Sequence, residues 1–347
     1  MEKNEKKFKI SRRNFFDKTI SKITAFAAGI GAGLFVKRSQ SEVTISTTTP
    51  PKSSTQQQNP YEYNIEDLKK IDPALITYEE INQITIDLTE LHGLALDSND
   101  TLFVTGDKVI LSFDNTGNQI KKIVLKDSAN GIAVDTNNQF YLCTKDHVVI
   151  LNKDGSQVEE MYSLGEQAYL TSIAVTDKYI YAADAGNRTV WQFNKSGALL
   201  KRFGEKNPEK GIPGFIIPSP YMDIAIDQES NIWVANTGRH SIEKYNTEGD
   251  LITQWGKTSM RIEGFCGCCN PTHFALLHDG SFVTSEKGLV RIKIYNEQGD
   301  LKTVVAEPSQ FNEGTVGLDL AVDSKDRIYV LDPKRKAVRM FSPKGSS

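Results

Sequence analysis

An all-β, six-bladed β-propeller is the fold this sequence predicts, and three observations predict it. First, an apolar residue followed four positions later by glycine occurs six times: Phe113/Gly117, Leu151/Gly155, Phe193/Gly197, Tyr245/Gly249, Tyr295/Gly299 and Phe341/Gly345. Repeats of roughly 40 to 50 residues with several strands each are the signature of propeller blades. Second, each phrase is preceded by two apolar strand segments, such as GIAVD then FYLC, or DIAID then IWVA. Third, the sixth repeat stops just past its glycine. Its fourth strand is therefore missing, and the alternating segment 83–88 (QITIDL) precedes the first repeat. That segment completes blade six, closes the ring and pairs a strand edge that would otherwise stay open.

The elements follow in order. Residues 1–38 carry ten Lys/Arg against three Asp/Glu, a net of +7, which leaves −10 for the rest of the chain. Ser11-Arg12-Arg13-Asn14-Phe15-Phe16 resembles the twin-arginine export motif, with Arg12 and Arg13 as its pair. An Ala/Gly-rich apolar run, Ile23 to Val36, comes next, then Lys37-Arg38. The run is short for a spanning helix, which needs about 20 residues. Residues 1–38 therefore read as a signal or membrane anchor, placing the body in the periplasm or on the outer face of the cytoplasmic membrane. Residues 39–62 are rich in Ser, Thr, Gln and Pro. Such a composition buries no core and reads as a flexible linker. Residues 63–80 read as a short lead-in with a helix interrupted at Pro73, and 81–345 as the propeller. Its blades start near His92, Asn130, Thr171, Met222, Thr272 and Leu318. In each blade the repeated glycine supplies the positive φ of the hairpin into the fourth strand.

Blades three and four resemble the NHL repeat. Ala183-Asp184, Gly186-Asn187-Arg188 and Phe193 fit its pattern, as do Ala235-Asn236, Gly238-Arg239-His240 and Tyr245; the other blades fit more loosely. The resemblance implies an NHL/TolB-like propeller, commonly a binding scaffold. One enzyme family of this kind, the peptidylglycine amidating lyases, is similar in blade phrasing and holds a channel zinc on histidines just before alternate innermost strands. The corresponding residues here are His92, Thr171 and Thr272. One histidine in three does not hold zinc tightly.

The segment Gly264-Phe265-Cys266-Gly267-Cys268-Cys269-Asn270-Pro271 is explained by no repeat. It holds three of the four cysteines and lies between blades four and five. Cys143, which ends the second strand of blade two, points to the same face. Three readings stand for Cys266, Cys268, Cys269 and Cys143. They form a metal or redox site, with an iron–sulfur cluster or zinc as cofactor, since several thiolates in one loop suit such a centre. Or they form disulfides, as an oxidising compartment favours. Or they are free buried thiols. Around them, His92, Arg261, Asn270, His273, Glu286 and Lys287 are the candidate binding residues at the channel rim. Glu286 and Lys287 also read as a solvated surface ion pair, and His273 equally as a satisfied core residue.

The remaining signals are exclusions. An acidic body is repelled by phosphate backbones, so nucleic acid is not an expected partner. No phosphate-cradling loop, Gly-x-Ser-x-Gly or His-Glu-x-x-His occurs. Asp97, Asp135, Asp227 and Asp323 recur once per blade and read as turn caps. Trp191, Trp233 and Trp255 read as packing between blades. The function expected is a binding or scaffold module for a protein or small ligand, with a cysteine-based metal or redox site on the rim. The alternatives are a disulfide-stapled binding propeller and a lyase or hydrolase.

Overall fold

A computed structural model describes residues 64–345. The twin-arginine motif, the apolar run and the whole linker lie outside the described residues. Among those described, no helix is long and apolar enough to cross a membrane.

The described chain opens with a short helix α1 (Ile65–Lys69), capped by the Asn64 side chain, and a 3-10 turn that starts at Pro73. Everything after that is strand and turn. Six antiparallel four-stranded sheets follow one another in a ring. Blade one is formed by residues 93–124, blade two by 131–160, blade three by 170–203, blade four by 224–255 and blade five by 273–306. Blade six takes three strands from 320–343 and its outermost strand, β1 (Tyr78–Thr85), from the other end of the fold.

This closure is the one expected from the missing strand, but its register differs. β1 pairs with the last strand, β24 (Ala337–Pro343), from Tyr78↔Pro343 to Thr85↔Ala337, with a bulge between Glu80 and Asn82. It therefore begins within the segment read as a lead-in and ends before Ile86. The reason is electrostatic as well as apolar. Arg339 is 1% exposed and takes both Glu80 carboxylate oxygens, at 3.0 and 2.6 Å, which pins the early half of β1 to the sheet.

Blade packing follows the sequence pattern. The apolar residue of each repeated phrase, aromatic in five blades and Leu151 in blade two, is buried between sheets. Between blades four and five, Trp233 and Trp255 stand edge-on to Phe282 at 4.7 and 5.0 Å. Asp97, Asp135, Asp227 and Asp323 each accept two backbone N–H groups from their own turn, so they are caps. All six repeated glycines have φ between 80° and 94°. The NHL-type glycine has a different cause: a Cβ on Gly186 would overlap the Gln167 carbonyl oxygen. Gly186→Ala is accordingly expected to cost about 1–3 kcal/mol, the usual range for overpacking. Urea unfolding checks this, with Gly165→Ala, where no atom crowds the site, as the control for strain from positive φ alone.

Candidate functional site

The cysteine loop lies over blade five and is wired to it by buried charge. Glu286 and Arg291 flank the turn between strands β19 (Phe282–Ser285) and β20 (Ile292–Tyr295), and Lys293 is on β20. All three are 1% exposed or less. Glu286 pairs with Arg291 at 2.7 Å and with Lys293 at 2.5 Å. The expectation of a solvated surface ion pair between Glu286 and Lys287 is therefore corrected. Glu286 points inward to two buried cations, because strand alternation turns it under the loop, and only Lys287 reaches the rim.

This cluster shapes the loop above it. Lys293 Nζ donates to the carbonyls of Ile262 and Gly264 at 3.0 and 2.7 Å. The Cys266 N–H and thiol both reach Glu286 Oε2, at 3.4 and 3.5 Å. Asn270, ahead of a cis bond to Pro271, donates to the carbonyls of Cys266 and Lys287 and accepts from the Lys287 N–H. Burial holds the Lys293 ammonium down to about 8, although Glu286 pulls it back up. Burial, and then the Glu286 charge, push the Cys266 thiol up. Cys266 is thus a held, inert thiol within the wiring.

Cys268 and Cys269 behave differently. Cys268 is exposed, Cys269 is 1% exposed, and their sulfurs are 3.0 Å apart as free thiols. Burial pushes the Cys269 thiol up, but the Cys268 S–H, the Ser219 hydroxyl and the Lys287 ammonium favour the charged sulfur, and the net displacement is downward. Cys268 is displaced upward because it donates to Cys269. Of the two, the inner sulfur is the one on which negative charge is favoured. Lys287 Nζ also donates to Ser219 Oγ at 3.0 Å and stands 4.9 Å over the Tyr221 ring. Tyr221 in turn meets the His273 ring edge-on at 5.7 Å, which joins the thiol pair to the channel.

The four cysteines do not converge. Cys143 is fully buried in the core between blades two and three, with Asp184 and Asp223 as its nearest charges. Cys266 faces Glu286, while Cys268 and Cys269 face each other. Among the described residues no group of three or more His, Cys, Asp or Glu is placed to hold a metal ion. The donors expected for zinc or an iron–sulfur cluster thus do not fit such a centre: one thiol is in another blade and one is committed to a carboxylate. No described contact joins the exposed Arg261 side chain to a thiol; its N–H takes Ser259 Oγ.

The channel holds a second group. Register places Gly93, Gly131, Ser172, Asp223, His273 and Asp319 at equivalent positions, opposite Thr105, Cys143, Ala183, Ala235, Ser285 and Leu331. The channel position is one residue later than the His92, Thr171, Thr272 series expected from the lyase resemblance. His92 lies at the edge of the cavity, with Nε2 3.6 Å from Glu90. Ser219, Tyr221, Asp223 and Asp319 were not singled out in the sequence. Aligning the blades would have exposed Asp223 and Asp319 through their equivalence to His273. Ser219 and Tyr221 belong to an unrepeated Pro-rich insertion and carry no such signal.

The ring and its mouth define a six-bladed β-propeller with a polar channel and a thiol-bearing rim. No family model matches the chain, and no curated protein matches its sequence. Solved structures do match its shape. A catalytically inactive virginiamycin B lyase from Staphylococcus aureus, solved with quinupristin, aligns with TM-score 0.53 and 14% identity over 74% of this chain and 81% of that one. A streptogramin B lyase aligns with TM-score 0.56 and 11% identity over 79% and 100%. A structural genomics protein of unknown function from Bacteroides thetaiotaomicron aligns with TM-score 0.56 and 15% identity over 76% and 72%. At such identities the likeness shows the fold alone.

Proposed function

We propose that this chain is an NHL-type binding propeller whose mouth carries a redox-active thiol pair, Cys268 and Cys269. One observation carries the reading: two free sulfurs 3.0 Å apart, the inner one held toward thiolate beside Lys287 and Ser219. Thiolate is the reactive form of cysteine, and reactive thiols sit beside cations with partial exposure. Export by the Arg12-Arg13 motif and a membrane tether belong to the same proposal and rest on the sequence alone; an oxidising compartment supplies the disulfides such a pair meets.

The chemistry balances as thiol–disulfide exchange. When the pair holds a single proton, transfer of that proton across the 3.0 Å contact from Cys268 to Cys269 leaves the accessible Cys268 sulfur to attack a small disulfide RSSR and release RS⁻. Cys269 then gives its proton to that RS⁻ and attacks the Cys268 sulfur, releasing the second RS⁻. The pair is oxidised by two electrons and the disulfide is reduced to one thiol and one thiolate.

Mass spectrometry of the reduced protein after exposure to glutathione disulfide tests the reading. The expected product has lost two hydrogens, bridges Cys268 to Cys269, and keeps Cys143 and Cys266 as thiols. A stable glutathione adduct, or a bridge to Cys266, sinks it. Lys287→Met is expected to raise the pH at which the pair's ultraviolet thiolate absorbance appears. An unchanged titration removes Lys287 from the site.

A further inference from the structure

The structure assigns a second site, independent of the thiols: we propose that the axial cavity between Asp223, His273 and Asp319 binds a small, extended organic cation carrying ammonium groups. The cavity measures about 270 Å³. Its wall is asymmetric. Blades one and two contribute Gly93 and Gly131 to the ring of equivalent positions, and blades three to six contribute Ser172, Asp223, His273 and Asp319. Two side chains are thereby missing on one side, and charge is concentrated on the other.

Both carboxylates are built in rather than swinging free. Asp223 accepts from Ser172 Oγ at 2.6 Å and from the N–H groups of Ile224 and Phe274 at 2.9 and 2.8 Å. Asp319 accepts from the N–H groups of Leu94 and Leu320 at 2.9 and 2.8 Å. Neither has an ion-pair partner among the described residues; the buried Glu286 and Asp332 face an arginine, whereas the buried Asp184 and Glu243 are held by hydrogen bonds alone. One imidazole nitrogen on the same cavity, His273 Nδ1, is buried without a hydrogen-bond partner, while His92 Nε2 at its edge has Glu90 at 3.6 Å. Two carboxylates without a cation and one unpartnered nitrogen call for positive charge and N–H donors from a ligand. A single metal ion does not meet that call, because no three of these groups converge on one point. A compound with two ammonium groups, one for each carboxylate, does. Burial holds the Asp319 carboxyl up at about 6, with the Asp223 charge adding to it and His273 opposing it, as expected of two like charges in one enclosure.

Calorimetric titration with butane-1,4-diammonium on the full chain tests this. Saturable binding of one molecule is expected at pH 7.5. It should be about tenfold weaker at pH 5, where a carboxyl of value near 6 is about nine-tenths protonated and the diammonium is unchanged. The groups facing Asp319 are Asp223, which also gains its proton more readily than usual, and the His273 and His92 rings, with Glu90 beside His92. Asp319→Asn should weaken binding at least tenfold at pH 7.5. Because it also disturbs the bond to Leu94, its near-ultraviolet circular dichroism is compared with wild type. Should that variant unfold, the wild-type pH pair decides alone. Cys268→Ser/Cys269→Ser should bind as wild type does. Binding that does not saturate, that is equal at the two pH values, or that stoichiometric Mg²⁺ or Zn²⁺ abolishes, overturns the proposal; so does preferential uptake of butyrate.

Discussion

Glu286→Ala is expected to cost about 3–5 kcal/mol, the usual penalty for removing one partner of a buried ion pair. The substitution leaves Arg291 and Lys293 facing each other at 0% exposure with no carboxylate between them. Coulomb repulsion then adds to desolvation, and the two carbonyl contacts from Lys293 to the cysteine loop are lost with its charge. Urea unfolding measures the stability, and alkylation of Cys266 measures the loop. The wild-type thiol should be protected, and the variant's should react at a rate near that of Cys268. A triple change, Glu286→Leu with Arg291→Met and Lys293→Met, separates charge from packing. It should recover most of the stability, since apolar replacement of a whole buried ionic cluster is often neutral. A triple variant as unstable as the single one would show that the cluster acts through shape instead. The pH dependence has a definite sign. Lys293 has a folded value of about 8 against an ordinary 10.5. Between those values the unfolded chain holds the extra proton, so this group makes the fold more stable as pH rises through that window, and its penalty is fully present below it. In Glu286→Ala the carboxylate that props the value up is gone, so the gain with pH should begin lower and be larger.

Removal of β1 should have the other large effect. A chain lacking residues 78–85 loses seven residue pairings to β24, from Tyr78↔Pro343 to Thr85↔Ala337, and the carboxylate that faces Arg339. The exposed edge of β24 is a template for intermolecular pairing. The expected result is loss of cooperative melting and formation of strand-paired aggregates, seen together by differential scanning calorimetry and light scattering. Adding a peptide covering 76–88 should restore a monomer. A truncated chain that melts cooperatively as a monomer would mean that the ring holds without its closing strand.

The fold was legible because it is repeated: six apolar-to-glycine phrases report the same hairpin six times, and one missing strand points to its replacement. The start of β1 was less legible. After the half-buried Tyr78, the run EEINQ is exposed and polar apart from Ile81, so alternation does not announce it; what holds it there is Arg339, some 260 positions away. The site was legible as a cluster of cysteines but not as a geometry. Sequence spacing cannot say that Cys266 turns toward Glu286 while its neighbours turn toward each other. Glu286 looked like a surface residue because the buried cations that claim it lie five and seven positions later, on a strand whose Lys293 resembles any solvent-facing lysine. His273 and the two aspartates of the channel were visible as residues, but their equivalence appears only when the strands are paired.

The wiring beneath the cysteine loop has a consequence for how such a site is inherited. Glu286, Lys287, Arg291, Lys293, Asn270 and all three loop cysteines fall between residues 266 and 293, and the carbonyls that Lys293 holds begin at Ile262. From outside this stretch the described contacts draw on little more than Ser219, Tyr221 and the His240 imidazole on the Phe265 carbonyl. One blade and its entry loop therefore form a transplantable cassette. Moved into the fifth position of another six-bladed ring, the stretch 262–306 would carry the thiol pair with most of the groups that set its chemistry, while the host's remaining blades stayed free to diverge.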